Sequence, residues 1–391
     1  MSWPARNSNS TGTIFPTGAT PKTVARSAAS PSDVQDDGAR RCRILSPELR
    51  LRLLRRGDMK GAEYPGEKWN VVSAADAGWN VDLLAEAKAA ARQFGSIASV
   101  AIHRGSVVAS SGSASKKVVI RSVRKSLLSA LIGIEVKRGR IRLDNTLGEL
   151  GIDDVAPSLS EAEKQATVGD LIKARSGIYH PALAESEQMK ADRPVRGSHP
   201  RDSHWYYNNW DFNALGTIYE RATGRSVFDG FHADIAVPLG MQDFHPDDGA
   251  YLRGPESEHP AYHFLMTARD LARFGLLYLR KGSWRGTEIV PRAWIEDSTK
   301  AYSITPDGSG YGYMWWTTGR DGEAQSEATV LRNADLPRVR YFAHGGFGQM
   351  IGVLPAAELV VVNLAVSRSR SAEEQRRLGD IVRLVARAAP G

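Results

Sequence analysis

The sequence predicts a mixed α/β fold in which strands from the two ends of the folded chain share one sheet and a largely helical stretch is inserted between them. Three observations carry this. Strand character is concentrated early, at Ile97–His103 and Val107–Ser110 around a turn at Arg104-Gly105. It returns late, at Tyr341–Ala343, Met350–Leu354 and Leu359–Val366. Between them, residues 140–300 read mostly as helix and loop, and the element order points to a mixed sheet. There is no internal repeat.

Residues 1–39 are rich in Ser, Thr, Pro and Ala and lack periodicity, so they read as a disordered extension. They contain no acid before Asp33 and no apolar core of a secretory signal. Residues 43–56 read as a short basic helix, capped by Ser46 with Pro47 in the first position, and Leu45, Leu49 and Leu53 on one face suit packing against a larger body. Residues 1–62 are thus expected to form a basic, largely disordered extension, and 63–391 one folded domain with its core starting near Tyr64. Val81–Phe94 reads as its first helix. The strongly apolar stretch after Ser122 reads as a helix to about Arg138, which Gly139 can end. The helical insertion spans roughly 122–270, and a last helix covers about Ala372–Ala388.

Charge and composition narrow the function. Eleven Lys and Arg against five acids in residues 1–62 place six of the seven net positive charges there, so the remainder is nearly neutral and no nucleic-acid partner is expected. No run of about 18 apolar residues predicts a transmembrane segment. The single cysteine, Cys42, rules out an intramolecular disulfide and fits a reducing compartment, which favours a cytoplasmic location. Neither H-E-x-x-H nor C-x-x-C occurs, so no metal is expected. There is no G-x-S-x-G elbow and no G-x-G-x-x-G fingerprint.

Three short elements can carry nucleophilic chemistry. Ser122-Val123-Arg124-Lys125 is S-x-x-K. Residues three apart on a helix share a face, so Lys125 can reach the Ser122 hydroxyl, and the free N–H groups of a helix N-terminus favour developing negative charge. Ser113-Ala114-Ser115-Lys116 has the same pattern, but Val118-Val119-Ile120 behind it reads as strand, so only Ser122 opens a helix. The second element is Tyr207-Asn208-Asn209. A tyrosine there can relay the serine's proton or protonate a leaving group, and Asn209 can orient substrate or lysine. Tyr206-Tyr207-Asn208 fits the same Y-x-N pattern, so the register is open between Tyr206 and Tyr207. The third is His344-Gly345-Gly346, followed by Phe347, where glycines let backbone approach a ligand and a strand edge can offer an N–H to an oxyanion. Each element alone is also an ordinary feature: a capping serine, an aromatic loop-to-helix junction, a glycine-rich hairpin. His180, His199 and His204 read as plain core or surface histidines.

The order S-x-x-K, Y-x-N, H-G-G resembles the class C β-lactamase-related serine hydrolases. That family includes esterases, D-aminopeptidases, D-alanyl-D-alanine peptidases and 6-aminohexanoate-oligomer hydrolases. The likeness runs from about Tyr64 to the end, through GRIRLDNT (139–146), TVGDLIKARSGI (167–178), YNNWDFNALG (207–216), MTARDLARFG (266–275), YGYMWW (311–316) and AHGGFGQ (343–349). It implies a serine β-lactamase-like (DD-peptidase) fold, α/β plus all-α, with an antiparallel sheet flanked by helices and a helical subdomain. It implies Ser122 as nucleophile with Lys125 and Tyr207, the spacing to Leu215-Gly216 favouring Tyr207 over Tyr206. The backbone N–H groups of Ser122 and Phe347 would form the oxyanion hole, with Asn209, His344, Gly345 and Gly346 lining the substrate site. No cofactor is implied.

One departure bears on substrate. β-Lactamases of this group usually carry Lys-Thr-Gly where this chain has His344-Gly345-Gly346. Histidine is mostly neutral near pH 7, so a fixed charge suited to a substrate carboxylate is lost. The expected partner is a small ester or amide, cleaved by an esterase or an amidase of the 6-aminohexanoate-oligomer type. A β-lactamase or D-amino-acid peptidase is the alternative, and a non-catalytic binding or sensor module is the alternative from another class. The oligomeric state is not legible.

Overall fold

The computed structural model describes residues 64–306, 308–318, 340–366 and 372–390. The basic stretch 1–62, with its expected helix at 43–56, lies outside them. Helix α1 (Val81–Phe94) opens where Asn80 Oδ1 accepts from the N–H groups of Asp82 and Leu83, satisfying two of the donors every helix start leaves unpaired. It leads into β1 (Ser96–His103) and β2 (Ser106–Gly112). The turn between them, Arg104-Gly105, has φ of 50° and 85°, the sign that a tight hairpin turn requires at both positions. After a short strand β3 (Val118–Val119) comes α2 (Val123–Lys137), in which every residue from Val123 to Glu135 is buried. A helix this uniformly covered forms the centre of the molecule, which explains its long apolar stretch from Leu127 to Ile134 and makes its buried Arg124, Lys125 and Glu135 exceptional.

The middle region is more than helix and loop. It contains α3 (Asn209–Thr223), but also an antiparallel pair, β4 (Gly249–Gly254) and β5 (Ser257–Met266), which the sequence reading missed. Ser257, Glu258, His259 and Pro260 mask the alternation, and most of β5 is buried on both faces, so a period of two is not visible. β5 also pairs with β3 and so holds the segment that enters α2. Helix α4 (Ala268–Leu279) follows.

Short strands β6 (Ser303–Ile304), β7 (Gly310–Tyr311) and β8 (Trp316–Thr317) then precede β9 (Tyr341–Gly345), β10 (Gln349–Leu354), β11 (Leu359–Ala365) and helix α5 (Ala372–Ala388). The eight-stranded sheet has the order β2-β1-β11-β10-β9-β8-β7-β6, so both chain ends do build one sheet. The expected mixed sheet is corrected: every pairing in it is antiparallel. Hairpins join neighbours on each side, and β1 meets β11 head to tail. Leu84, Ala91 and Phe94 of α1 and Leu378, Ile381 and Val382 of α5 form one apolar layer with Phe342, Leu354 and Val361 of the sheet. Leu127 and Leu131 of α2 and Phe274 and Leu277 of α4 belong to the other, larger layer with Val100, Ile351 and Val360. The sheet is therefore sandwiched, and α2 lies against it with its N-terminus near the end of β9.

Candidate active site

Ile120 donates its N–H to the Phe264 carbonyl of β5 at 3.1 Å, the last ladder bond before the chain turns. Arg121 makes that turn with φ of 53°, a conformation costly for a residue with a Cβ. Ser122 then sits at the N-cap of α2, yet its side chain makes no capping hydrogen bond. Its hydroxyl is 2.9 Å from Lys125 Nζ instead. Lys125 is 1% exposed. Its ammonium lies 4.8 Å from the centre of the Tyr207 ring and 5.0 Å from that of Phe212. The rival Ser113–Lys116 motif lies in a turn between β2 and β3, with Ser113, Ser115 and Lys116 exposed.

Tyr207 immediately precedes α3. Asn208 caps that helix by accepting from the Trp210 N–H at 3.1 Å, and donates from Nδ2 to the Ile178 carbonyl at 2.6 Å and to Asp211 Oδ1 at 3.0 Å. Ser176 Oγ donates to the same Asp211 oxygen at 2.6 Å. This buried knot ties loop 176–178 to the start of α3 and holds Tyr207 over Lys125. Burial pushes the Asp211 carboxyl well above the usual range. The Tyr207 ring is walled by Phe212, Tyr311 and a stacked Trp316. Tyr206 points elsewhere: its hydroxyl donates to the Met189 carbonyl at 2.7 Å. Of the two registers left open by the sequence, geometry brings only Tyr207 to Lys125. Asn209 is buried, and donates to the Ala184 carbonyl at 2.8 Å while its Oδ1 has no hydrogen-bond partner.

The third element closes the site from the sheet. His344 and Gly345 end β9, and Gly346-Phe347-Gly348 turn into β10. A Cβ on Gly345 would stand 2.5 Å from the Ile120 carbonyl oxygen and 3.1 Å from the Ser122 nitrogen, so glycine is what lets strand and helix N-terminus meet. Phe347 has φ of 69°, and the Arg121 guanidinium lies over its ring at 5.2 Å. Two residues in the left-handed region thus flank the Ser122 and Phe347 amides. Behind the turn, Asn363 donates to the Gly348 carbonyl at 2.9 Å and Gln349 Nε2 to the Ala365 carbonyl at 2.6 Å, which locks it to β11. Gly345→Ala is expected to force this strand off α2 and to lower unfolding free energy by about 1–3 kcal/mol in a denaturant titration. An unchanged midpoint would show that the contact has slack.

The structure therefore gathers Ser122, Lys125, Tyr207 and the 344–347 turn around the start of α2. His180 and His259 are core histidines, and His199 and His204 stack on each other at 4.0 Å. The histidine the sequence reading overlooked is His263 on β5. Burial, with Arg124, Arg121 and Lys125 facing it, lowers its pKa to about 3. Nothing in its local sequence marks it; the pairing of β5 with β3 brings it there. Among the described residues, no three His, Cys, Asp or Glu side chains are grouped to hold a metal ion, and no helix is long and apolar enough to cross a membrane.

Residues 81–386 match the Beta-lactamase family. No curated protein matches the chain. A Bacillus anthracis structure assigned as a 6-aminohexanoate-dimer hydrolase superposes with a TM-score of 0.58 at 20% identity, covering 75% of this chain and 80% of that one. A class C beta-lactamase from Rhodobacter sphaeroides gives 0.56 at 17% identity, covering 77% and 98%. A penicillin-binding-protein homologue from Caulobacter crescentus gives 0.55 at 16%, covering 77% and 97%. At these identities the likeness is one of fold: the serine β-lactamase type, an antiparallel sheet with flanking helices.

Proposed function

The chain belongs to the Beta-lactamase family, and from that premise we propose that it is a serine hydrolase cleaving ester or amide bonds through an acyl-enzyme, as an esterase or a 6-aminohexanoate-oligomer-type amidase. The observation that carries this is the 2.9 Å contact between Ser122 Oγ and the buried Lys125 Nζ at the start of α2. Burial of an amine beside a hydroxyl disfavours the amine's charged form, and this is how a lysine comes to serve as a base.

In this reading Ser122 Oγ attacks the carbonyl carbon and its proton passes to Lys125, directly or through the Tyr207 hydroxyl. The oxyanion is held by the N–H groups of Ser122 and Phe347, which rigid backbone presents before the reaction begins. The leaving alcohol or amine takes a proton returned along the same path, the acyl group remains on Ser122, and water releases it by the reverse sequence. His344, Gly345 and Gly346 line the substrate side, and Asn209, buried at the start of α3, orients substrate or Lys125 through its unused Oδ1. A binding or sensor role has no use for this set of groups.

A hydrolysis panel tests the assignment: short-chain p-nitrophenyl esters, a linear amide dimer, nitrocefin and a D-amino-acid amide. Turnover of neutral esters or the amide dimer above nitrocefin is expected, because a histidine at position 344 does not supply the fixed charge of a lysine. Nitrocefin as the best substrate would reassign the protein as a β-lactamase. No turnover and no labelling by a fluorophosphonate would favour the binding module. Within the same assay, Tyr207→Phe should lose about 10²-fold or more if it shuttles the proton. Tyr206→Phe should keep its rate and lose only about 1 kcal/mol of stability, from the bond to Met189. The opposite ranking would move the relay to Tyr206.

A further inference from the structure

A buried guanidinium must be paired or fully hydrogen-bonded, because removing its hydration without replacement is costly. Among the described residues, two arginines are almost wholly buried, Arg124 at 2% and Arg273 at 1% exposure. Arg273 meets the requirement with backbone: it donates to the carbonyls of Leu239, Gly66 and Glu67 at 2.8–3.0 Å. Arg124 does not. Its Nη2 has a single long hydrogen bond, 3.4 Å to Asn213 Oδ1, and its Nη1 is buried with no hydrogen-bond partner. The Tyr262 ring lies 4.3 Å from the guanidinium carbon, whose charge opposes the upward push of burial on the Tyr262 phenol, yet that buried hydroxyl makes no hydrogen bond of normal geometry. No carboxylate among the described residues forms an ion pair with Arg124.

The surroundings add positive charge. Arg124 is in the first turn of α2, between Val123 and Lys125, and Arg121 stands three residues before it. The fields of Arg124, Arg121 and Lys125 all act on His263, whose two ring nitrogens are likewise buried without hydrogen-bond partners. Whichever tautomer His263 adopts, one of those nitrogens is a donor. Unused donors thus collect where α2, α3 and β5 meet, with Arg124 the only one carrying a fixed charge among those left unpaired.

We propose that Arg124 is the centre of a buried anion-binding site, enclosed by α2, α3 and β5, that takes a small monovalent anion, either a free halide or the carboxylate of a substrate. Such an anion would accept from Arg124 Nη1 and offset the charge that Asn213 and Tyr262 leave uncompensated. Placed in the first turn of the helix that Ser122 opens, it would also set the field in which Lys125 gains and loses its proton. A carboxylate held here would supply an acid recognition that a residue without fixed charge at position 344 does not.

The test uses the full chain. Crystals soaked in sodium bromide are expected to show one anomalous peak within hydrogen-bond distance of Arg124 Nη1. The thermal midpoint should rise with bromide to saturation against sodium sulfate at matched ionic strength, and Arg124→Met and Arg124→Lys should abolish and weaken that rise. These readouts need no activity, so they stand apart from the assignment of Ser122. In a second arm, p-nitrophenyl butyrate is compared with the mono-p-nitrophenyl ester of glutarate. If a substrate carboxylate is the occupant, Arg124→Met raises KM about ten- to a hundredfold for the glutarate ester alone, and bromide competes with it. If a free anion is the occupant, bromide binds without competing. Water alone beside Nη1, a midpoint indifferent to bromide and equal KM changes for both esters would together overturn the proposal.

Discussion

Ser122→Ala is expected to abolish turnover and covalent labelling while the protein keeps its fold. The chemical half of this rests on the oxygen: alanine has no atom to attack a carbonyl. The structural half rests on what Ser122 does not do. A serine at an N-cap usually binds a backbone N–H of the first turn, and its loss then costs about 0.5–2 kcal/mol. Here that side chain makes no capping bond, so alanine removes only the contact with Lys125. The far-ultraviolet spectrum and thermal midpoint should therefore stay close to wild type while rate and fluorophosphonate adduct vanish. Ser113→Ala, in the exposed turn before β3, is the control. Loss of activity in Ser113→Ala with retention in Ser122→Ala would mean that the wrong S-x-x-K had been chosen.

Replacing Lys125 should cost about 10²–10⁴-fold in the rate of acylation, the range of a general base. Three variants separate chemistry from packing. Lys125→Ala removes the amine but also leaves a void against Tyr207 and Phe212, so part of its defect would be structural. Lys125→Met fills the same space without a base and should be as slow as alanine but more stable. Lys125→Arg keeps a cation on the aromatic wall, yet guanidinium does not give up its proton, so it should not recover the rate. Single-turnover acylation, monitored by the burst of p-nitrophenol, reads this step alone. Recovery by arginine would show that position 125 supplies charge and not a proton acceptor, and the base would then have to be sought at Tyr207.

The sequence carried much of this on local grounds. Helix α1, the β1–β2 turn, the start of α2 and the last helix each depend on residues within a few positions, such as the Asn80 cap, the Arg104-Gly105 turn and the unbroken apolar run after Ser122. The same locality makes S-x-x-K legible, since the reach from Ser122 to Lys125 is one helical turn. Where the deciding contact is distant in sequence, local pattern was silent or ambiguous. The choice between Tyr206 and Tyr207 turns on which hydroxyl Met189 captures and which ring meets Lys125. β5 was missed because burial on both faces erases the alternation that marks a strand, and His263 was missed with it. The need for glycine at 345 comes from the Ile120 carbonyl, more than two hundred residues away in the chain. The uncompensated charge of Arg124 exists only because α3 and β5 close over it. By itself the sequence determined the helices, the turns and the one-turn reach from Ser122 to Lys125 that nearest neighbours dictate; desolvation and non-local packing, which depend on what the rest of the chain brings alongside, were decided by the tertiary structure alone.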